Sequence, residues 1–356
     1  MLPRAVAFAR FAEGASRMSF RPGRRLQDAA AVYLISEGVG AFIRTLTYTV
    51  LTIYYVTSAD LNPLQLVLVG TVLEAATLLL EVPTGVIADV FSRRLSILLG
   101  HLLWGVAFIL EGSAPLFAAI LLAEVIRAVG ECCLSGATQA WLADEVGEER
   151  LGLLLVRGAQ LGRVGALLGI VASVGLASIE INLPVVVGGA LSIVLAGWLL
   201  LVMPERGFRP LERSSAGTGL LQTAATGIAQ FRARSLLLVF LGIAAAVGAS
   251  SEGFDRLWEA HLLATFAFPS LGALEPIVWF GIINVVGLLL GIAAAQALTR
   301  LDLADDRVLA RWGLLAHCGW MVSVMVLGLA PDFLTAGLAL WAARVCKVAG
   351  GPLLST

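Results

Sequence analysis

Ten runs of roughly 20 or more largely apolar residues divide this chain, and a run of that length is what a helix needs to cross a bilayer. They fall near residues 30–57, 64–88, 95–113, 116–143, 153–178, 184–203, 236–262, 276–299, 309–330 and 333–356. Short connectors rich in Pro, Gly, Asn and Asp separate them, such as Ser58-Ala59-Asp60-Leu61-Asn62-Pro63. Transmembrane strands would be about ten residues long and strictly alternating, and these runs are neither. With 59% hydrophobic and 14% charged residues, the chain lies outside the range of soluble globular domains. The expected fold class is therefore all-α, a polytopic helical membrane protein.

The cations give an orientation. Arg4, Arg10, Arg17, Arg21, Arg24 and Arg25 precede the first run, and eleven more Arg lie in the connectors on that side, from Arg93 and Arg94 to Arg307 and Arg311. The opposite connectors, near 58–63, 112–115, 178–184, 263–275 and 331–332, hold no Lys or Arg. By the positive-inside rule the amino terminus is expected in the cytoplasm, with the protein in the cell membrane. The formal net charge of −1 gives no basis for nucleic-acid binding. Four Cys and three His, scattered without ligand spacing, indicate neither a disulfide framework nor a metal site, and no cofactor is expected.

The polar, basic stretch around Ser214-Ser215-Ala216-Gly217-Thr218-Gly219 separates six runs from the last four. The domain reading is a cytoplasmic tail over 1–29, a six-helix bundle over 30–204, a cytoplasmic linker over 205–234 and a second bundle over 235–356. The halves echo each other: Arg127 and Arg344 each sit about eleven residues into the fourth span of their half, and Gly85 to Arg94 is echoed by Gly291 to Arg300. Repeated halves around a midplane site are a transporter plan.

The segment Gly85-Val-Ile-Ala-Asp89-Val-Phe-Ser-Arg93-Arg94 follows the second span on the cation-rich side. It resembles the helix 2–3 signature of the major facilitator superfamily, G-x-L-a-D-r-x-G-r-[RK]. Gly85, Asp89, Arg93 and Arg94 match, while Ile87 and Ser92 stand where Leu and Gly are usual. The resemblance, closest in kind to multidrug and tetracycline exporters, covers residues from about 30 onward. It implies twelve spans in two pseudo-symmetric six-helix bundles, of which ten are present, so two further helices are expected beyond Thr356. It also implies that Gly85 permits close helix approach while Asp89, Arg93 and Arg94 form a switchable latch. Two family patterns fit less closely. Arg127 is followed by Gly130 rather than by a Gly four residues on. The fifth span has Gly158, Gly162, Gly165 and Gly169 but not the Gly-Pro pair of proton-coupled drug exporters.

Charges inside spans are costly, at about 2.5–3.5 kcal/mol each near the bilayer centre, so each needs a partner or a water-filled cavity. Arg44, Glu74, Glu124, Arg127, Glu131, Arg163, Glu252 and Arg344 are the candidate substrate and proton pathway. Glu131 is either a pathway group or the structural ion-pair partner of Arg127 one turn away. Arg157, Glu81 and Glu259 lie near span ends and read as interface or latch groups. Tyr55 and Trp258 read as members of an interfacial aromatic belt.

The leading expectation is a monomeric secondary transporter exporting a small amphipathic molecule in exchange for protons. Glu74, Glu124 and Glu252 are its candidate protonation sites. Proton-symport uptake of an anion clamped by Arg44, Arg127 and Arg163 is the alternative transporter. A non-transporting membrane sensor or scaffold is an alternative of another class. An intramembrane enzyme is disfavoured, because HExxH, GxSxG and GxxxxGK[ST] are all missing.

Overall fold

A computed structural model of the chain describes residues 28–90, 92–208, 235–270, 277–298 and 306–350. The amino-terminal tail apart from Asp28 and Ala29, most of the linker, Arg300 and the last six residues lie outside the described residues. Among those described the secondary structure is helical without strands. The elements are α1 (Ala29–Tyr48), α2 (Leu51–Thr57), α3 (Pro63–Val90), α4 (Arg93–Ser113), α5 (Phe117–Leu134), α6 (Ala137–Val146), α7 (Glu148–Ala177), α8 (Leu183–Val202), α9 (Ser235–Thr265), α10 (Ile277–Leu298), α11 (Asp306–Gly328) and α12 (Phe333–Gly350). Because α1 runs into α2 and α5 into α6, these are ten rods, at the ten apolar runs. Seven, α1–α2 among them, are long and apolar enough to cross a membrane. α5 is richer in charge, carrying Glu124, Arg127 and Glu131 within 18 residues.

Local chemistry sets the boundaries. Asn62 and Gln65 cap α3 reciprocally, each main-chain N–H donating to the other's side-chain oxygen at 3.0 Å. Ser92 accepts from the Leu95 N–H at the start of α4, and Asp332 from the Thr335 N–H at the start of α12, both at 2.9 Å. Two spans that read as continuous are broken. The first breaks at Thr49–Val50, inside Thr45-Leu-Thr-Tyr-Thr-Val-Leu-Thr52, where Thr49 turns its hydroxyl back onto the Thr45 carbonyl at 2.6 Å. β-Branched residues are stiff in a helix, and threonine hydroxyls compete for its carbonyls. The fourth breaks at Gly136, whose φ of 70° is left-handed.

Small residues bring the rods together. A Cβ at Gly165 of α7 would lie 2.1 Å from the Gly38 carbonyl oxygen of α1. Gly105 of α4 and Gly189 of α8 face each other so closely that a Cβ on either would lie 2.7 Å from the other's carbonyl oxygen. Van der Waals packing of this kind is what associates helices in lipid. Large apolar side chains such as Leu78, Leu79 and Leu201 stay exposed, as a lipid-facing surface requires.

The two halves meet near the cation-free connectors. Val174 of α7 abuts Gly281 of α10, and Gly70 of α3 packs against Arg256 and Glu252 of α9. One apolar cluster joins Val50, Ile53 and Ala177 of the first half to Phe254, Trp258, Phe280 and Leu340 of the second. At the cation-rich end the corresponding cluster, with Tyr33, Trp141, Leu199 and Met203, belongs to the first half alone. Gly85 departs from expectation: among the described residues nothing comes within 4 Å of a Cβ built there.

Candidate functional site

Three cavities follow one another through the protein. The first, about 430 Å³, is lined by Glu37, Arg44, His101, Trp104, Glu131 and Ser135, and by Trp141 and Met203 at the cation-rich end. The second, about 290 Å³, shares Glu131 and Ser135 with it and adds Tyr48, Glu74, Glu81 and Arg127. The third, about 310 Å³, shares Tyr48 with the second and is walled by Tyr55 of α2 and by Glu252, Asp255, Arg256 and Glu259 of α9. Glu131 and Tyr48 are therefore the joints of the series.

Behind the second and third cavities lies a polar cluster centred on two buried charges. Arg127 is 2% exposed and Glu124 0%. The Arg127 Nε donates to Glu124 Oε2 at 2.8 Å, and Nη2 donates to the same oxygen. The Arg127 Nη1 donates to the Tyr48 hydroxyl, and the guanidinium lies 5.3 and 5.8 Å from the Tyr48 and Phe108 ring centroids. The Tyr55 hydroxyl donates to Glu111 and stands 3.4 Å from Glu124 Oε1. Fork geometry, ring contacts and exclusion of water make the Arg127–Glu124 pair costly to break from one side only.

Several expectations change. The partner of Arg127 is Glu124, one turn before it, and Glu131 instead faces the first two cavities. Tyr55 and Trp258 are buried at 2% and 6% exposure rather than set in an aromatic belt, because the break in the first span and the packing of α9 turn them inward. Glu259, read as an interface group, is buried at 6% and borders the third cavity. Glu111 was not singled out at all. The signal that could have found it is an acid inside a largely apolar span, next to the Gly112–Pro115 connector.

The remaining candidates are spread. Arg44 lines the first cavity, Glu74 the second, and Glu252 the third, where it accepts from the Arg256 Nε at 3.2 Å. Arg163 is exposed and lines none of the three cavities. It lies eleven residues before Val174, about 20° around α7, on the side that meets α10. Arg344 donates to Asn284 Oδ1 at 2.9 Å and sits 4.8 Å from the Trp258 ring centroid in the second half.

At the cation-rich end Arg93 donates to Asp144 and, at 2.7 Å, to the Ala140 carbonyl. Glu205 accepts from the Ser92 hydroxyl at 2.8 Å and the Arg94 N–H at 2.9 Å, while Arg94 Nη2 donates to the Leu200 carbonyl. These contacts tie α4 to α6 and to the end of α8. The side chain of Asp89 lies outside the described residues.

Comparison with known proteins agrees with this architecture. The chain is similar to the nucleoside transporter NupG, with a TM-score of 0.70 at 14% identity over 92% of this chain and 80% of that one. It is also similar to a POT family transporter solved with a thioalcohol-conjugated peptide, with a TM-score of 0.64 at 13% identity, covering 91% and 82% of the two chains. At those identities the likeness concerns the fold alone. In sequence it is 31% identical over 151 residues to the MFS-type transporter YxaM of Bacillus subtilis (strain 168), a match spanning 41% of this chain and 37% of that protein. The family model of the Major Facilitator Superfamily matches residues 33–356, and the chain belongs to that superfamily.

Proposed function

We propose that the protein is a secondary transporter working by alternating access, and that it exports a small amphipathic molecule in exchange for protons. The observation that carries this reading is the buried Arg127–Glu124 pair standing between two cavities, each wide enough for water and lined by further carboxylates. A proton taken by Glu124 removes the negative partner of Arg127, and Arg127 lines the second cavity. Protonation and substrate binding thereby act on the same guanidinium. The aromatic and acidic lining of the second and third cavities suits an amphipathic substrate, and the chemistry is transfer between compartments rather than catalysis.

The protein is taken to reside in the cytoplasmic membrane as a monomer, with its cation-rich end in the cytoplasm. Arg93 with Asp144, and Arg94 with the Glu205 region, are the groups assigned to the cytoplasmic latch. Anion uptake through an arginine clamp is less well supported, since Arg44 and Arg127 line different cavities and Arg163 lines neither. The test is proton-driven exchange in everted vesicles, read by a pH-sensitive dye as amphipathic compounds are added. Glu74→Gln, Glu124→Gln and Glu252→Gln are compared with wild type. Coupling should be lost with Glu124→Gln, and unchanged coupling in all three variants sinks the assignment.

A further inference from the structure

Glu111 lies in the last turn of α4, 1% exposed, close to the cation-free end. Its main-chain carbonyl accepts from the Tyr54 hydroxyl at 2.8 Å, and its Oε1 accepts from Tyr55. Among the described residues its Oε2 has no hydrogen-bond partner. The charged groups that face it are Glu124 and Arg127 of α5 and Arg256 of α9. Of these cations Arg127 is committed to Glu124 and Arg256 to Glu252, and among the described residues none is within ion-pair distance of Glu111. The elements packed closest bring phenols, Tyr54 and Tyr55 of α2, and from α8 apolar Val185 and Val186. Asn182, just before α8, gives its amide to the Gly112 carbonyl at 3.2 Å.

An ionised carboxylate 1% exposed and without an ion-pair partner among the described residues is the expensive state for a buried acid. The phenol beside it is placed between two acids, donating to Glu111 and 3.4 Å from Glu124. A phenol has one proton to give, and its oxygen can also receive one. Glu124 already holds Arg127, so the carboxylate left short of donors is Glu111, and a proton of its own removes the charge that lacks a partner.

We propose that Glu111 is a second proton-carrying carboxylate, joined through the Tyr55 hydroxyl to Glu124, so that a three-member relay runs from the cation-free end to the Arg127 pair. In the transfer step the Tyr55 hydroxyl turns from Glu111 to Glu124, and the Glu111 acid proton passes to the Tyr55 oxygen while the Tyr55 hydroxyl proton passes to the Glu124 carboxylate. Glu111 ends ionised, Glu124 neutral and Tyr55 unchanged, with one proton moved and no other reactant. This inference rests on the proton-coupled reading above, and it adds where the proton waits before it reaches Glu124.

The full chain in liposomes, titrated with protons and followed by infrared difference spectroscopy, tests it. Wild type should show the C=O stretch of a protonated buried carboxyl, and Glu111→Gln should remove it. The isosteric amide leaves the Tyr54 bond intact, since that bond is to the main chain. Tyr55→Phe should keep the band and move it to higher frequency, because the carboxyl loses its hydrogen-bond partner. Glu124→Gln should leave the band in place. A wild type without the band, a band that survives Glu111→Gln, or one unmoved by Tyr55→Phe overturns the proposal. Proton flux measured on the same liposomes separates the two readings. If the wild type moves no protons under any imposed gradient with any added compound, the transport reading falls, while the band still decides the protonation of Glu111.

Discussion

Neutralising one member of the Arg127–Glu124 pair should cost far more than neutralising both. With Glu124→Gln the guanidinium, 2% exposed, loses its one carboxylate partner among the described residues. A stranded charge at mid-membrane costs about 2.5–3.5 kcal/mol. Its ring contacts with Tyr48 and Phe108, worth about 0.5–1 kcal/mol each, are retained and offset part of this, leaving about 2 kcal/mol. Arg127→Gln strands Glu124 instead, with Tyr55 at 3.4 Å as its remaining polar neighbour, for a cost again of about 2 kcal/mol. The double variant carries no charge and should lie within about 1 kcal/mol of wild type, so the coupling energy is about 3 kcal/mol. Reversible unfolding in mixed micelles, titrated with dodecyl sulfate, measures all four corners of the cycle. A coupling below about 0.5 kcal/mol would mean that water in the neighbouring cavities screens the pair, and the reasoning from burial would be wrong.

Gly165→Ala should destabilise by about 1–3 kcal/mol, since its Cβ would meet the Gly38 carbonyl at 2.1 Å, whereas Gly162→Ala, with its nearest atom 3.6 Å away, should stay within about 0.5 kcal/mol. Thermal unfolding in detergent distinguishes them, and equal losses would refute the close α1–α7 contact. The main-chain N–H and the hydroxyl of Thr335 hold the Asp332 carboxyl below the usual carboxylate range. The stability it contributes is therefore present above its unfolded value and lost as pH falls through the depressed one. Asp332→Ala should accordingly melt below wild type at neutral pH, with the gap closing on strong acidification; a gap independent of pH counts against the cap. Arg93 and Asp144 are 20% and 28% exposed, so breaking their pair should change stability by at most about 1 kcal/mol. Arg93→Asp and Asp144→Arg should each slow exchange in vesicles, and the charge-swapped double variant should recover it. A swap as slow as either single variant removes the pair from the latch.

The spans were legible because a bilayer imposes a length that no local detail overrides. The breaks at Thr49–Val50 and Gly136 were not, since a span is read from the mean of a long window, which neither a Thr-rich stretch nor a single Gly interrupts. They matter to the site, because the first break lies between Tyr48 and the Tyr54–Tyr55 pair. The partner of Arg127 was half legible. Glu124 and Glu131 share its helix face, but long side chains on a helix lean toward its amino terminus, which favours the earlier acid. Glu111 and Tyr55 sit at span ends, where a belt or interface residue has the same sequence signature as a buried one. Only the packing of α2, α4 and α5 tells the two apart.

The arrangement of charges bears on how the halves can move. The pairs Arg93–Asp144 and Arg127–Glu124 lie within the first half, and Arg256–Glu252 and Lys347–Asp255 within the second. The seam joins apolar contacts, Val174 on Gly281 and Val50 and Ile53 in one cluster with Phe254 and Phe280, to a polar one where Gly70 packs against Arg256 and Glu252, but no ion pair among the described residues crosses it. Apolar contacts are non-directional and can be exchanged for equivalent ones, whereas a desolvated ion pair cannot be parted without stranding two charges. Opening the cation-free end would therefore leave these four pairs intact, while the apolar contacts and the Gly70 contact with α9 are exchanged as the other end closes. Rocking of one half against the other meets that condition.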